Sequence, residues 1–88
     1  MKGEVRKPTK EEVDRIKSEH WGIWTKEVSE FTWSYDERET CLIIEGEVTV
    51  TFEGGSAKFG KGDFVVFPEG LECTWKITKP VRKYYKFG

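Results

Sequence analysis

A short apolar run bounded by turn residues limits this chain to few folds. Residues 64–67 read Phe-Val-Val-Phe and lie between Gly62 and the pair formed by Pro68 and Gly70. An apolar run of this length that stops at proline and glycine is typical of a buried β-strand ending in a tight turn. Beyond the turn every second residue is apolar: Leu71, Cys73, Trp75 and Ile77. This alternation predicts a further strand with one face towards an interior and the other towards solvent.

The rest of the chain predicts more short strands and one helix. Thr9 and Glu12 have the spacing of a capping box, which predicts a helix over residues 10–18. Pro80 is expected to end one strand before the last one begins. Runs rich in β-forming residues predict the other strands, at 5–7, 21–35, 39–44, 48–52, 57–59 and 81–87. About seven or eight short strands in so short a chain indicate an all-β sandwich or barrel.

Charge and composition exclude several classes of protein. The chain has 15 basic and 16 acidic residues without a basic cluster, so we expect no nucleic-acid partner. It has no long apolar run and no hydrophobic signal region, so we expect no membrane association. Two cysteines are too few for a disulfide framework. The sequence therefore predicts a single soluble domain over residues 1–88 in the cytoplasm.

Two stretches of the chain resemble the paired motifs of the cupin family. The spacing of the second motif, G-x5-P-x-G-x2-H, is matched by Gly62, Pro68, Gly70 and Cys73. The end of the first motif, E-x6-G, is matched by Glu39 and Gly46. The chain is most similar to small single-domain cupins of the EutQ-like and (S)-ureidoglycine aminohydrolase-like type. The resemblance implies an antiparallel cupin (RmlC-like) β-barrel or jelly roll with one short N-terminal helix, and a homodimer.

Many cupins hold a divalent metal through three histidines and one glutamate, and here only the glutamate is kept. By motif spacing, the histidine positions fall on Trp33, Tyr35 and Cys73. The one histidine of the chain, His20, lies outside both motifs and is predicted to be structural or on the surface. The resemblance thus leaves Glu39 and Cys73 as candidate ligands for Zn, Mn, Fe or Ni. Iron oxygenase chemistry, which uses two histidines and a carboxylate, is not expected.

Strand alternation independently predicts a pocket. Its candidate lining residues are Trp33, Tyr35, Glu39, Cys41, Cys73 and Trp75. A buried carboxylate needs a partner, so we expect Glu39 to meet a metal, the Tyr35 hydroxyl, an arginine such as Arg82, or a ligand. Cys73 could be a metal ligand, a reactive thiol or inert core, and oxidation could join it to Cys41. The aromatic rings could be core or a surface for ligand stacking.

The leading functional hypothesis is a small-molecule-binding cupin with a degenerate metal site that lacks histidine. In it, Glu39 hydrogen-bonds a polar ligand group or acts as a general base. One alternative is a metal-dependent enzyme resembling ureidoglycine aminohydrolase, acting on a small nitrogenous metabolite. Another is a structural or regulatory module whose partner docks on an exposed edge strand. The sequence leaves open whether the protein is an enzyme.

Overall fold

The computed structural model describes residues 3–88, which form seven β-strands and one α-helix. Every strand pairing is antiparallel. The predicted all-β architecture with one short N-terminal helix is confirmed. In chain order the elements are β1 (Glu4–Arg6), α1 (Lys10–Ser18), β2 (Gly22–Lys26), β3 (Ser29–Ser34), β4 (Glu39–Phe52), β5 (Gly55–Gly60), β6 (Phe64–Phe67) and β7 (Glu72–Phe87).

The two long strands β4 and β7 organise the sheet, because each is long enough to pair with two sets of neighbours. The first part of β4 and the last part of β7 lie side by side between β6 and β2, with β1 beyond β6. The second part of β4 and the first part of β7 lie between β5 and β3. Each long strand therefore runs through both halves of a folded sheet, the arrangement of a jelly roll.

The bend between the halves lies where β4 crosses β7. Pairing shifts register there between Ile43 and Val48. Gly46 has a φ of 109°, and a Cβ atom on it would lie 2.5 Å from the Pro80 carbonyl oxygen. Both the backbone conformation and the close approach therefore require glycine. The predicted strand breaks at Gly46 and Pro80 are wrong, since both residues lie inside continuous strands and mark the bend instead.

The irregular pairing in β4 also brings the buried apolar residues before and after the bend to the same face of the sheet. Cys41 and Ile43 are buried at odd positions, whereas Val48 and Val50 are buried at even ones. A bulge inserts an extra residue and so moves the alternation by one position. In β7 the predicted alternation is confirmed. Its buried residues are Cys73, Trp75, Ile77, Val81 and Lys83.

The helix begins at the predicted capping box. The Glu12 backbone N–H donates to Thr9 Oγ1 at 3.2 Å, and the Thr9 backbone N–H donates to Glu12 Oε1 at 2.8 Å. Arg6 donates to both carboxylate oxygens of Glu12, at 2.7 and 2.6 Å, which ties β1 to the helix. This pairing lowers the pKa of Glu12 to about 2. No helix among residues 3–88 is long and apolar enough to cross a membrane.

Candidate functional site

A cavity of about 210 Å³ lies at the end of the fold where β3 ends and β4 begins. We call it the aromatic cavity, because rings form nearly all of its wall. The aromatic lining residues are Trp24, Phe31, Trp33, Tyr35, Trp75, Tyr85 and Phe87. The two remaining lining residues are Glu39 and Lys83. Strands β2, β3, β4 and β7 all contribute, so both halves of the sheet hold the wall in place.

Lys83 and Glu39 form a buried ion pair inside the aromatic cavity. The Lys83 Nζ donates to Glu39 Oε1 at 3.0 Å, and each side chain is only 6% exposed. Glu39 pairs in register with Phe87, four residues beyond Lys83 on β7, so the two long side chains converge along the strand direction. Burying either charge alone would cost several kcal/mol, and the pairing offsets much of that cost.

Two indole rings complete the surroundings of the ammonium group. Lys83 Nζ lies 4.8 Å from the ring centroid of Trp24 and 4.8 Å from that of Trp75. Phe31 stacks on Trp75 at 6.0 Å with an interplanar angle of 16°, which fixes the second indole in place. Cations are attracted to the faces of such rings, most strongly to tryptophan. The cavity is therefore built around one cationic nitrogen.

Sequence reasoning missed Lys83, although it named an arginine among the four possible partners of Glu39. The residue named then, Arg82, is exposed and pairs in register with Glu45 at the bend. It points away from the core because side chains alternate along β7. The same alternation, extended from Val81, was the signal that could have identified Lys83 as the inward-facing basic residue.

Tyr35 adds a hydroxyl to the cavity wall. Its ring stacks on Phe67 at 4.8 Å, and its hydroxyl oxygen accepts from Trp75 Nε1 at 3.2 Å. Burial, and next the charge of Glu39, raise the pKa of Tyr35 well above its usual value. The hydroxyl therefore stays protonated. None of the described residues accepts its proton, so Tyr35 can donate to a bound molecule.

Glu39 offers the complementary acceptor. Its Oε1 is bonded to Lys83, whereas none of residues 3–88 donates a hydrogen bond to its Oε2. Every fully enclosed side-chain oxygen or nitrogen in this part of the chain has a partner. Oε2 is therefore not fully enclosed, and Glu39 lines the aromatic cavity. A molecule there would meet a hydroxyl donor and a carboxylate acceptor on the same wall.

The structure brings four of the six predicted pocket residues together. Trp33, Tyr35, Glu39 and Trp75 all line the aromatic cavity. Trp33 is 49% exposed and lies at its mouth, while Tyr35 and Trp75 are buried. These three rings thus line the same cavity as the Glu39 carboxylate, and their role in binding a ligand stays a prediction.

The two cysteines do not line the aromatic cavity. Cys41 is fully buried and its Sγ donates to the Val65 carbonyl at 3.6 Å; burial raises its pKa to about 12. Cys73 donates to the Trp33 carbonyl at 3.7 Å and lines a neighbouring shallow groove, and burial raises its pKa also. Both thiols are free, and the disulfide that oxidation could form between them is not present in this structure.

These residues do not fit a divalent metal. Glu39 Oε1 already holds the Lys83 ammonium, and Cys73 faces a backbone carbonyl outside the cavity. Within residues 3–88 no group of three or more His, Cys, Asp or Glu side chains is placed to hold a metal ion. A third ligand for the predicted pair Glu39 and Cys73 is therefore missing. The positive charge in this cavity belongs to the lysine.

A family model described as the EutQ-like cupin domain matches residues 13–85 of the chain. The chain belongs to the EutQ-like cupin family. This confirms both the resemblance noted from the two motifs and the cupin jelly-roll fold. No functionally curated protein is similar enough in sequence to match.

Solved structures extend the family relationship. The chain is 50% identical to a DUF861 family protein from Thermotoga maritima, with a TM-score of 0.92 over 99% of this cupin and 100% of that chain. It is 26% identical to a putative ethanolamine utilization protein Q from Salmonella typhimurium, with a TM-score of 0.68 over 75% of this chain and 54% of that one. A DUF861 family protein from Pseudomonas syringae is 32% identical, with a TM-score of 0.69 over 76% of this chain and 29% of that one. The cupin therefore spans about half or less of the last two relatives.

Proposed function

We propose that this cupin binds a small organic molecule in the aromatic cavity, with the Lys83–Glu39 pair at its polar end. The observation that carries the proposal is the burial of this pair. Lys83 and Glu39 are the buried charged residues among residues 3–88. A buried ion pair is often no more stabilising than apolar residues of similar volume, so fold stability alone gives little reason to keep one. A largely apolar pocket with a few converging polar groups is a common mark of a binding site.

The lining residues favour a small, uncharged ligand with one polar end. A cavity of about 210 Å³ is smaller than the roughly 300–1,000 Å³ typical of drug-sized ligands. Because the charges of Lys83 and Glu39 cancel, a charged ligand would bury a charge without a counter-ion. The polar end would accept from the Tyr35 hydroxyl and donate to Glu39 Oε2. The apolar part would pack against the rings of the wall.

Chemical-shift mapping of the indole N–H groups tests this proposal. The purified protein is titrated with a panel of small uncharged metabolites and, separately, with their carboxylate analogues. We expect saturable shifts at the indole signals of Trp24 and Trp75, with the uncharged compounds binding more tightly. Trp21, which does not line the cavity, is the internal control. Shifts as large at Trp21 as at the other two indoles, or no saturable shifts, would contradict the proposal.

A matched pair of variants tests where the ligand lies. Trp33→Ala removes a ring at the mouth of the cavity, and we expect the Kd to rise by about 2- to 13-fold, since an aromatic contact contributes about 0.5–1.5 kcal/mol. Ile23→Ala removes an equally exposed apolar side chain that does not line the cavity, and should leave the Kd unchanged. Equal Kd values for the two variants would place the ligand elsewhere.

The family resemblance also implies an assembly of two chains. The homodimer and the cytoplasmic location stay predictions. Sedimentation equilibrium over a range of protein concentrations tests the first. A mass equal to that of one chain at every concentration would argue against the dimer.

A further inference from the structure

We propose that Lys83 condenses reversibly with the carbonyl group of a small aldehyde or ketone in the aromatic cavity and holds it as an iminium ion. The inference rests on the proposed binding function and deepens it, because it names the class of ligand and the bond that forms. It follows from the position of one amine and from the groups around that amine.

Lys83 differs from the other lysines in its surroundings. Within residues 3–88 it is the one buried lysine and the one that lines the cavity. A neutral lysine amine adds to carbonyl carbons, which is the basis of Schiff-base enzymes. The enclosing rings limit the access of bulk water, which would otherwise hydrolyse the product. An imine formed here would thus survive longer than one on an exposed lysine.

Glu39 is placed to move the protons that this reaction requires. It takes one proton from the Lys83 ammonium across the 3.0 Å hydrogen bond, which frees the amine lone pair. The amine attacks the carbonyl carbon, a C–N bond forms, and the oxygen takes that proton. Glu39 then removes a second proton from the nitrogen and returns it to the hydroxyl group, which leaves as water. One carbonyl and one ammonium thus give one iminium and one water, with no oxidant or reductant.

The surroundings of the nitrogen suit the product as well as the starting amine. The nitrogen is a cation both as the ammonium and as the iminium. In both forms it faces the Glu39 carboxylate and the rings of Trp24 and Trp75, whose centroids lie 4.8 Å from it. The stabilising charges and dipoles therefore need not rearrange during the reaction. The Tyr35 hydroxyl, on the same wall, can donate to the carbonyl oxygen before attack.

Reductive trapping tests the inference on the native protein. Benzaldehyde is the probe, sodium cyanoborohydride reduces any imine to a stable secondary amine, and peptide mass mapping locates it. We expect Lys83 to carry at least tenfold more adduct than Lys58 or Lys61, two exposed lysines on the same chain. Labelling of Lys83 at or below the level of these two would overturn the inference.

Two variants and one analogue separate this inference from the proposed function. Lys83→Arg keeps the charge and removes the nucleophile, so the adduct at this position should vanish. On the parent protein, benzyl alcohol, which cannot form an imine, should shift the Trp75 indole signal. Glu39→Gln, checked for folding by near-ultraviolet circular dichroism, should slow trapping at Lys83 more than tenfold. If benzyl alcohol binds and Lys83 stays unmodified, the covalent step is wrong and the binding function stands. If the whole panel leaves the indole signals unchanged and no adduct forms, both proposals fail.

Discussion

Replacing Lys83 by methionine should destabilise the protein by about 3–5 kcal/mol, because it breaks a buried ion pair from one side. Methionine is unbranched and can keep an apolar stem between Trp24 and Trp75. The Glu39 carboxylate, 6% exposed, then loses the one cation that lies within ion-pair distance of it among residues 3–88. Part of the loss comes from the two cation–π contacts, each contributing about 0.5–1 kcal/mol or more.

Thermal unfolding followed by near-ultraviolet circular dichroism measures this effect. For a domain of this size each kcal/mol shifts Tm by roughly 4–8 °C, so Lys83→Met should lower Tm by roughly 12–40 °C. Lys86→Met is the matched control on the same strand. Its ion pair with Glu19 is exposed, so the change should cost at most about 1 kcal/mol.

The double variant Glu39→Leu with Lys83→Met tests the physical reason. Removing both charges leaves no unpaired ion, so its stability should lie well above that of Lys83→Met and within about 2 kcal/mol of the parent protein. Two results would refute the reasoning. One is a loss below about 1 kcal/mol for Lys83→Met, which would mean that water solvates the carboxylate. The other is a double variant as unstable as the single one.

Three further predictions concern the bend, the helix and the thiols. Gly46→Ala should destabilise more than Gly54→Ala, since both glycines have positive φ but only at Gly46 would a Cβ collide with backbone atoms; equal Tm values would show that the crossing relaxes. The pKa of Glu12, lowered to about 2, should make stability fall as pH drops from about 4.5 towards 2, because protonation removes its ion pair. Glu12→Gln should flatten that part of the pH profile measured by urea unfolding, and an unchanged profile would contradict the assignment. Cys41 and Cys73 should react with iodoacetamide at pH 8 far more slowly in the native than in the unfolded protein, because burial raises both pKa values and limits access; equal rates would contradict this.

The sequence predicted the local structure of each segment better than it predicted whether a strand ends or continues. The helix over residues 10–18 and the inward face of β7 follow from local spacing, and the structure agrees with both. Gly46 and Pro80 were interpreted as strand ends because such residues commonly interrupt pairing. Whether these two residues end a strand or bend it depends on how β4 and β7 cross at this point. That crossing joins residues more than thirty positions apart and leaves no local signal.

In the candidate site, too, local patterns in the sequence predicted some positions and missed contacts between distant residues. Alternation placed Trp33, Tyr35 and Glu39 in one pocket, and the geometry agrees. The basic residue named as one possible partner of Glu39, Arg82, lies on the outer face of β7, whereas Lys83 on the inner face makes the ion pair. The two cysteines could not be excluded from the pocket by spacing alone. Their thiols donate to backbone carbonyls of neighbouring strands and do not line the cavity.

Much of the cavity wall is encoded in one contiguous segment. Strand β7, 16 residues long, contributes four lining side chains at odd positions: Trp75, Lys83, Tyr85 and Phe87. Its even positions point away from the cavity, while its backbone pairs with β2, β3 and β4. On the proposed function, exchanging only the inward residues of β7 for those of a relative should change the ligand preference and preserve the hydrogen bonds between strands. If the aromatic cavity binds a ligand as proposed, its specificity can therefore change through substitutions within one short segment of the sequence.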